Sequence, residues 1–243
     1  MIEPVATPAA VLALWERGVG RRPGRRALVL LAGAASEAAM GDWARAPAGR
    51  RDRALLDLRE RLFGRRFTGL TSCPRCDEPI ELTFDAAEVR RDTAGIEAAT
   101  VRVDGIDVAF RLPNAGDLEA IDGEPDVPSA RARLVARCVG PVTRDGEAIA
   151  VEAWSPGLVE AVAARMAEID PQADVALDLD CPACAHAWRE PFDIVTFFWV
   201  ELAASARRIL DDVHVIASAY GWSETEILAL SPARRSAYLE MLG

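Results

Sequence analysis

One short pattern occurs twice and limits what this chain can fold into. Cys73-Pro74-Arg75-Cys76 recurs 108 positions later as Cys181-Pro182-Ala183-Cys184. The repeat runs past the cysteines: Phe84-Asp85 follows the first pair at the same distance as Phe192-Asp193 follows the second. Each copy reads CPxC, a short polar turn, a few strand-like residues, then Phe-Asp. In such a turn the proline fixes φ and brings the sulfurs of i and i+3 together. Two pairs offer four thiolates, the set that a tetrahedral structural zinc accepts. The spacing predicts one zinc ion per chain, held by Cys73, Cys76, Cys181 and Cys184 in a split ribbon. The 104 residues between Cys76 and Cys181 then form an insertion that starts and ends at the metal.

Other uses of the four cysteines fit less well. Disulfides need a secretory context. A thioredoxin-like site needs one CxxC in a βαβ setting, which the flanking pattern lacks. Four sulfur ligands leave no open position for catalysis. Unpaired thiolates are costly without a metal, so occupancy is expected to couple to folding.

A length of 243 residues, 51% of them hydrophobic, allows one large domain or two small ones with a sizeable core. No apolar run reaches the 18 residues of a membrane span, and Met1 to Pro8 lacks the pattern of a signal peptide. A cytoplasmic, reducing location without membrane contact is the expectation. Cys138, the fifth cysteine, sits in an apolar helical pattern and reads as a buried, inert thiol. All 28 basic residues are Arg. Residues 1–72 hold 13 Arg against 7 acids, and residues 73–243 hold 15 against 31. So acidic a body argues against nucleic acid as a partner.

The expected architecture is α+β and predominantly helical. Residues 1–70 form an N-terminal helical part, 71–85 and 175–193 the split ribbon, 86–174 a mixed insertion, and 194–243 the C-terminal helices. Helices are expected over 7–18, 24–35 and 49–63; in the last, Leu55, Leu56, Leu58 and Leu62 face inward and the arginines outward. Residues 80–84 read as a strand and 100–112 as a hairpin around Asp104-Gly105. Helices follow from Asp117, over 129–139 and from Ser155 to Ile169, with a second Asp-Gly turn at 145–146. After a strand at 175–179, a helix over 194–210 precedes a separate helix–turn–helix from Asp211 to Leu242. Ser223 and Glu226 form a capping box there.

No catalytic constellation stands out, and no small-molecule substrate is implied: GxSxG, HExxH, EF-hand and phosphate-loop patterns are all absent. Of two histidines, His186 lies in the second knuckle turn, where it serves at most as a substitute or outer group. His214 reads as a structural histidine among apolar neighbours.

Several stretches together resemble a known family. They are LWERG (14–18), RRALVLLAGA (25–34), GRRDRALLDLRERLFG (49–64) running into CPRC, FRLPNAGDLEAI (110–121), CPAC, and the closing DDVHVIASAYGWSETEILALSPARRSAYLEML (211–242). The chain resembles the baseplate hub assembly chaperones of T-even-type contractile phages and related injection systems. The resemblance implies a non-enzymatic assembly factor that binds baseplate hub or spike proteins, either left behind or built into the particle. It brings no catalytic residue with it. A client-binding surface is expected on the C-terminal helices, at Trp222, Ile227, Leu230, Tyr238 and Leu239; the alternative is that these residues close the protein's own core. A zinc-ribbon adaptor in transcription or RNA metabolism is the alternative function. It would need a basic face, and Asp77, Glu78, Glu81, Asp178, Asp180 and Glu190 make the knuckles acidic. A metalloenzyme would need one knuckle cysteine to be a non-ligand.

Overall fold

The computed structural model describes residues 7–33, 37–93, 95–103, 105–144, 147–148 and 154–243. Among them the chain is α+β and mainly helical, with two-stranded antiparallel hairpins. The Thr7 hydroxyl accepts the Ala10 N–H at 3.3 Å and caps α1 (Pro8–Gly18). Pro8 holds the first position, where a missing N–H costs nothing. There follow α2 (Pro23–Ala32), α3 (Glu37–Arg45) and α4 (Ala48–Phe63). The first knuckle lies between β1 (Arg66–Ser72) and β2 (Pro79–Asp85), with α5 (Ala86–Val89) directly behind.

The insertion begins with a hairpin of β3 (Ala98–Val103) and β4 (Ile106–Arg111). It turns at Gly105, whose φ of 82° suits glycine; Asp104 lies outside the described residues. Next come α6 (Ala115–Ala120), α7 (Val127–Cys138), and the short strands β5 (Thr143–Arg144) and β6 (Glu147–Ala148). The second Asp-Gly pair, 145–146, also lies outside the described residues. Ser155 caps α8 (Pro156–Ile169), as its sequence predicts. The second knuckle lies between β7 (Ala176–Asp180) and β8 (Ala187–Pro191). The chain closes with α9 (Ile194–Tyr220), α10 (Glu224–Leu228) and α11 (Pro232–Glu240).

Four expectations need correction. The helix expected to end near residue 210 runs on to Tyr220 as one element of 27 residues. Residues 194–220 hold no Gly or Pro, and Phe198, Leu202, Ala206, Ile209, Val213 and Ile216 keep one buried stripe across Asp211. Gly221, at φ 68°, stops it. On α4 the arginines do not all face water: Arg51 and Arg59 are buried with Leu55, one turn apart on the same face. Asp117 does not begin its helix. Asn114 is the cap, and Asp117 is the acid three residues on that returns a bond to the Asn114 N–H. His214 is exposed on α9 rather than enclosed.

The chain divides into two compact units, Met1–Ala34 with Val195–Gly243, and Ala35–Ile194. In the first, the Trp199 ring lies so close to Gly18 that a Cβ there would stand 2.4 Å from it. The Arg26 guanidinium covers the same ring at 4.6 Å. A smaller cluster of Val213, Ile216 and Ile227 joins α9 to α10, flanked by Trp222, Tyr238 and Leu239.

In the second unit, Val108 and Phe110 of β4 pack on Val135 and Cys138 of α7 and on Leu158, Val162 and Met166 of α8. Asp117 is buried beside this core. It pairs with Arg111 and with Arg137, each at 3.0 Å for one oxygen, so a buried charge is fully partnered. Asp170 reaches across from the end of α8 and accepts the Gly49 N–H at 2.8 Å. It thereby caps α4 from 121 positions away.

Candidate metal centre

The two knuckle hairpins are copies in backbone detail. Ser72 pairs with Pro79 and Asp180 with Ala187, each one residue outside its knuckle. In each turn the first cysteine donates its N–H to the residue five ahead, Cys73 to Glu78 and Cys181 to His186, both at 2.9 Å. Each first cysteine's carbonyl accepts the N–H four residues on, from Asp77 and from Ala185, again at 2.9 Å. Asp77 and Ala185 take left-handed φ values of 58° and 55°. Two non-glycine residues in that region at equivalent positions mark a turn imposed by its surroundings.

The turns bring all four cysteines together. The Cys73 and Cys184 sulfurs are 3.7 Å apart and those of Cys76 and Cys181 3.6 Å. All four ligand atoms lie within 4.8 Å of one another. Sulfurs at about 2.3 Å from a tetrahedral zinc stand about 3.8 Å apart, so the cluster fits that ion. Cys73 and Cys181 are buried, Cys184 half-buried and Cys76 exposed. His186 is outside the cluster: its ring stacks on Trp188, and its carbonyl serves Cys181.

The thiols differ in how readily they ionise. Burial raises the Cys73 thiol, but the Arg75 and Cys76 N–H groups and the neighbouring sulfurs outweigh it and bring it to about 7. For Cys76 the N–H near Glu78 works downward, yet the Cys184, Cys181 and Cys73 sulfurs and burial push it up to about 12. For Cys184 the His186 N–H and the Cys76 sulfur work downward, yet burial and the Cys181 and Cys73 sulfurs push it up. Thiols alone therefore favour a thiolate at Cys73 and resist one at Cys76 and at Cys184. A bound divalent cation inverts that preference and deprotonates its ligands. Zinc here would act as a structural crosslink between the hairpins.

Behind the sulfurs lies an aromatic junction. Phe84 pairs across its hairpin with Phe67, their rings stacked at 5.1 Å. Phe192 meets both edge-on, at 5.8 Å from Phe67 and 5.4 Å from Phe84. The buried Arg59 guanidinium lies 3.7 Å from the Phe67 ring centre and donates to the Gly64 carbonyl at 2.7 Å. Neither Phe67 nor Arg59 was singled out from sequence. The signal was there for Arg59, which falls four residues after Leu55 on the inward face of α4.

The sequence model of the T4 bacteriophage base plate protein family matches residues 36–199, two-thirds of the chain. The chain belongs to that family. No curated protein and no solved structure matches it. The match takes in both knuckles, the insertion between them and the start of α9, and so nearly the whole of the second unit. It ends before the closing stretch 211–242.

The five residues expected to bind a client lie beyond the match. Ile227 is fully buried and belongs to the protein's own core. Trp222, Leu230, Tyr238 and Leu239 are half-buried. Trp222 and Tyr238 meet edge-to-face at 4.9 Å, and Tyr220 stacks on Trp222 at 5.1 Å. Cys138 is buried in the α7–α8 core, and burial with the nearby Asp117 charge pushes its thiol up to about 11. It is inert at neutral pH. No helix among the described residues is long and apolar enough to cross a membrane.

Proposed function

We propose that this protein is a non-enzymatic assembly factor, or minor component, of the baseplate hub of a contractile tail or injection system. It works by binding hub or spike proteins. One structural zinc on Cys73, Cys76, Cys181 and Cys184 holds its two hairpins as a split ribbon. The observation that carries the reading is the family match over residues 36–199, which brackets the four-sulfur cluster. The acidic knuckle surface and net charge of −10 favour protein over nucleic acid as the partner. The half-exposed rings of Tyr220, Trp222 and Tyr238 offer the kind of aromatic surface that anchors protein interfaces.

The test is to co-express the tagged chain with the baseplate proteins of its own tail, recover the complexes, and measure zinc in the same sample. Hub or spike proteins recovered with about one zinc per chain, the stoichiometry of one four-thiolate site, support the reading. Zinc without tail proteins keeps the metal centre and removes the assembly role.

A further inference from the structure

The two knuckle hairpins carry four outer edges, and three of them are guarded. Bonded and unbonded pairs alternate along an antiparallel ladder. In the first hairpin Cys73 bonds to Glu78 and Ala86 to Arg65. The bonded pairs between are therefore Thr71–Ile80, Gly69–Leu82 and Phe67–Phe84. The N–H and C=O groups of Arg66, Thr68, Leu70 and Ser72 point away from β2. The same counting, from Cys181–His186 and Val175–Phe192, turns Ala176, Asp178 and Asp180 outward on β7, and Ala187, Arg189 and Pro191 on β8.

Proline and mid-edge charge are the ordinary means by which a strand edge refuses another strand. The β2 edge has Pro79 and Glu81. The β8 edge has Arg189 and Pro191, and the β7 edge has Asp178 and Asp180. On β1 the middle and far end are Thr68, Leu70 and Ser72, with no proline and no charge. All four outward residues of β1 are exposed, and Leu70 is 82% exposed, the highest among the large apolar residues described. Arg66, at the near end, faces Asp85 across the hairpin and acts on its charge, without a direct ion pair among the described residues.

We infer that the β1 edge is a strand-addition site for an extended segment of a baseplate partner protein, with an apolar side chain beside Leu70 and an acidic one beside Arg66. Main-chain bonds to Thr68 and Leu70 supply affinity, and the two side-chain contacts supply choice. This rests on the assembly reading proposed above, and it adds one place, separate from the Tyr220, Trp222 and Tyr238 rings, where a partner is held.

The test uses the full chain and each purified baseplate protein of its tail. Amides of Thr68 and Leu70 exchange fast with deuterium in the free chain and become protected in the complex. Thr68→Pro and Leu70→Pro remove one outward N–H each and no bond to β2. Each weakens binding about tenfold, while Leu70→Ala stays within about threefold and zinc content is unchanged. Leu70→Lys, which restores the missing guard without touching the backbone, also weakens binding. A complex that forms while both amides still exchange fast overturns the inference and leaves the assembly reading standing. Protection that appears with protein concentration alone assigns the edge to a second copy and also overturns it. If no baseplate protein binds the unaltered chain, the assembly reading and this inference fall together.

Discussion

Phe84 and Phe192 meet edge to face, with ring centroids 5.4 Å apart and planes at 88°, although 108 positions separate them. Each stands at the same place in its own repeat, 11 residues after the first knuckle cysteine. The cysteines and the phenylalanines thus join the same two hairpins at two levels, a cluster of sulfurs and a cluster of rings. Phe84→Ala and Phe192→Ala are each expected to destabilise the second unit by about 3 kcal/mol. The double variant is expected to cost less than the sum, because each single change already empties the shared junction. Urea unfolding of the four proteins in the cycle measures this.

The cap on α4 is expected to be sterically exacting. A Cβ on Gly49 would stand 1.8 Å from Asp170 Oδ1, so Gly49→Ala must displace the carboxylate that caps the helix. Asp170→Ala removes the same cap, and both are expected to cost about 1–2 kcal/mol. Burial raises the Asp170 carboxyl against the lowering effect of the Gly49 N–H and Arg51. An amide at 170 keeps the acceptor without the charge, so Asp170→Asn is expected to fall within about 0.5 kcal/mol of the parent. Thermal melts of the three variants separate the loss of the acceptor from the loss of the charge.

The buried Asp117 makes stability depend on acid. Burial works upward on its carboxyl, but the Arg111 hydrogen bonds, the Asn114 N–H and Arg137 outweigh it and hold it below the usual carboxylate range. Its folded value thus lies below its unfolded one. The stability it supplies is present above the unfolded value, near about pH 4, and is lost as the pH falls through the folded value. Asp117→Asn is expected to cost about 2 kcal/mol at neutral pH, with Arg111 and Arg137 left to hydrate at the half-exposed surface. The gap between parent and variant should narrow as the pH drops below about 4. Denaturant unfolding at a series of pH values follows it.

The local patterns were legible where caps and periodicity agree, as at Ser155-Pro156 for α8 and Ser223 with Glu226 for α10. They were misleading where one chemical type does two jobs. Asp211-Asp212 reads as a break, but Asp211 is exposed and Asp212 faces the buried Arg235 beside an unbroken stripe. Arg59 reads as surface but stacks on Phe67, a residue whose importance depends on Phe192 far along the chain. β1 was missed as a strand because it has few apolar residues and owes its strand to its partner across the knuckle. The four sulfurs were legible because a knuckle is local and needs only its own CPxC, while their convergence depends on the fold of the 104 residues between. The cap from Asp170 to Gly49 leaves no trace in the sequence near either residue.

The measurement that tests the central claim most directly is zinc X-ray absorption on the protein purified without added metal, with metal content determined in parallel. The account predicts about one zinc per chain with four sulfur neighbours at about 2.3 Å, and loss of that shell with loss of folding in Cys73→Ser and Cys181→Ser. A protein that folds without metal, or a zinc bound by nitrogen or oxygen in place of any of the four sulfurs, would contradict it.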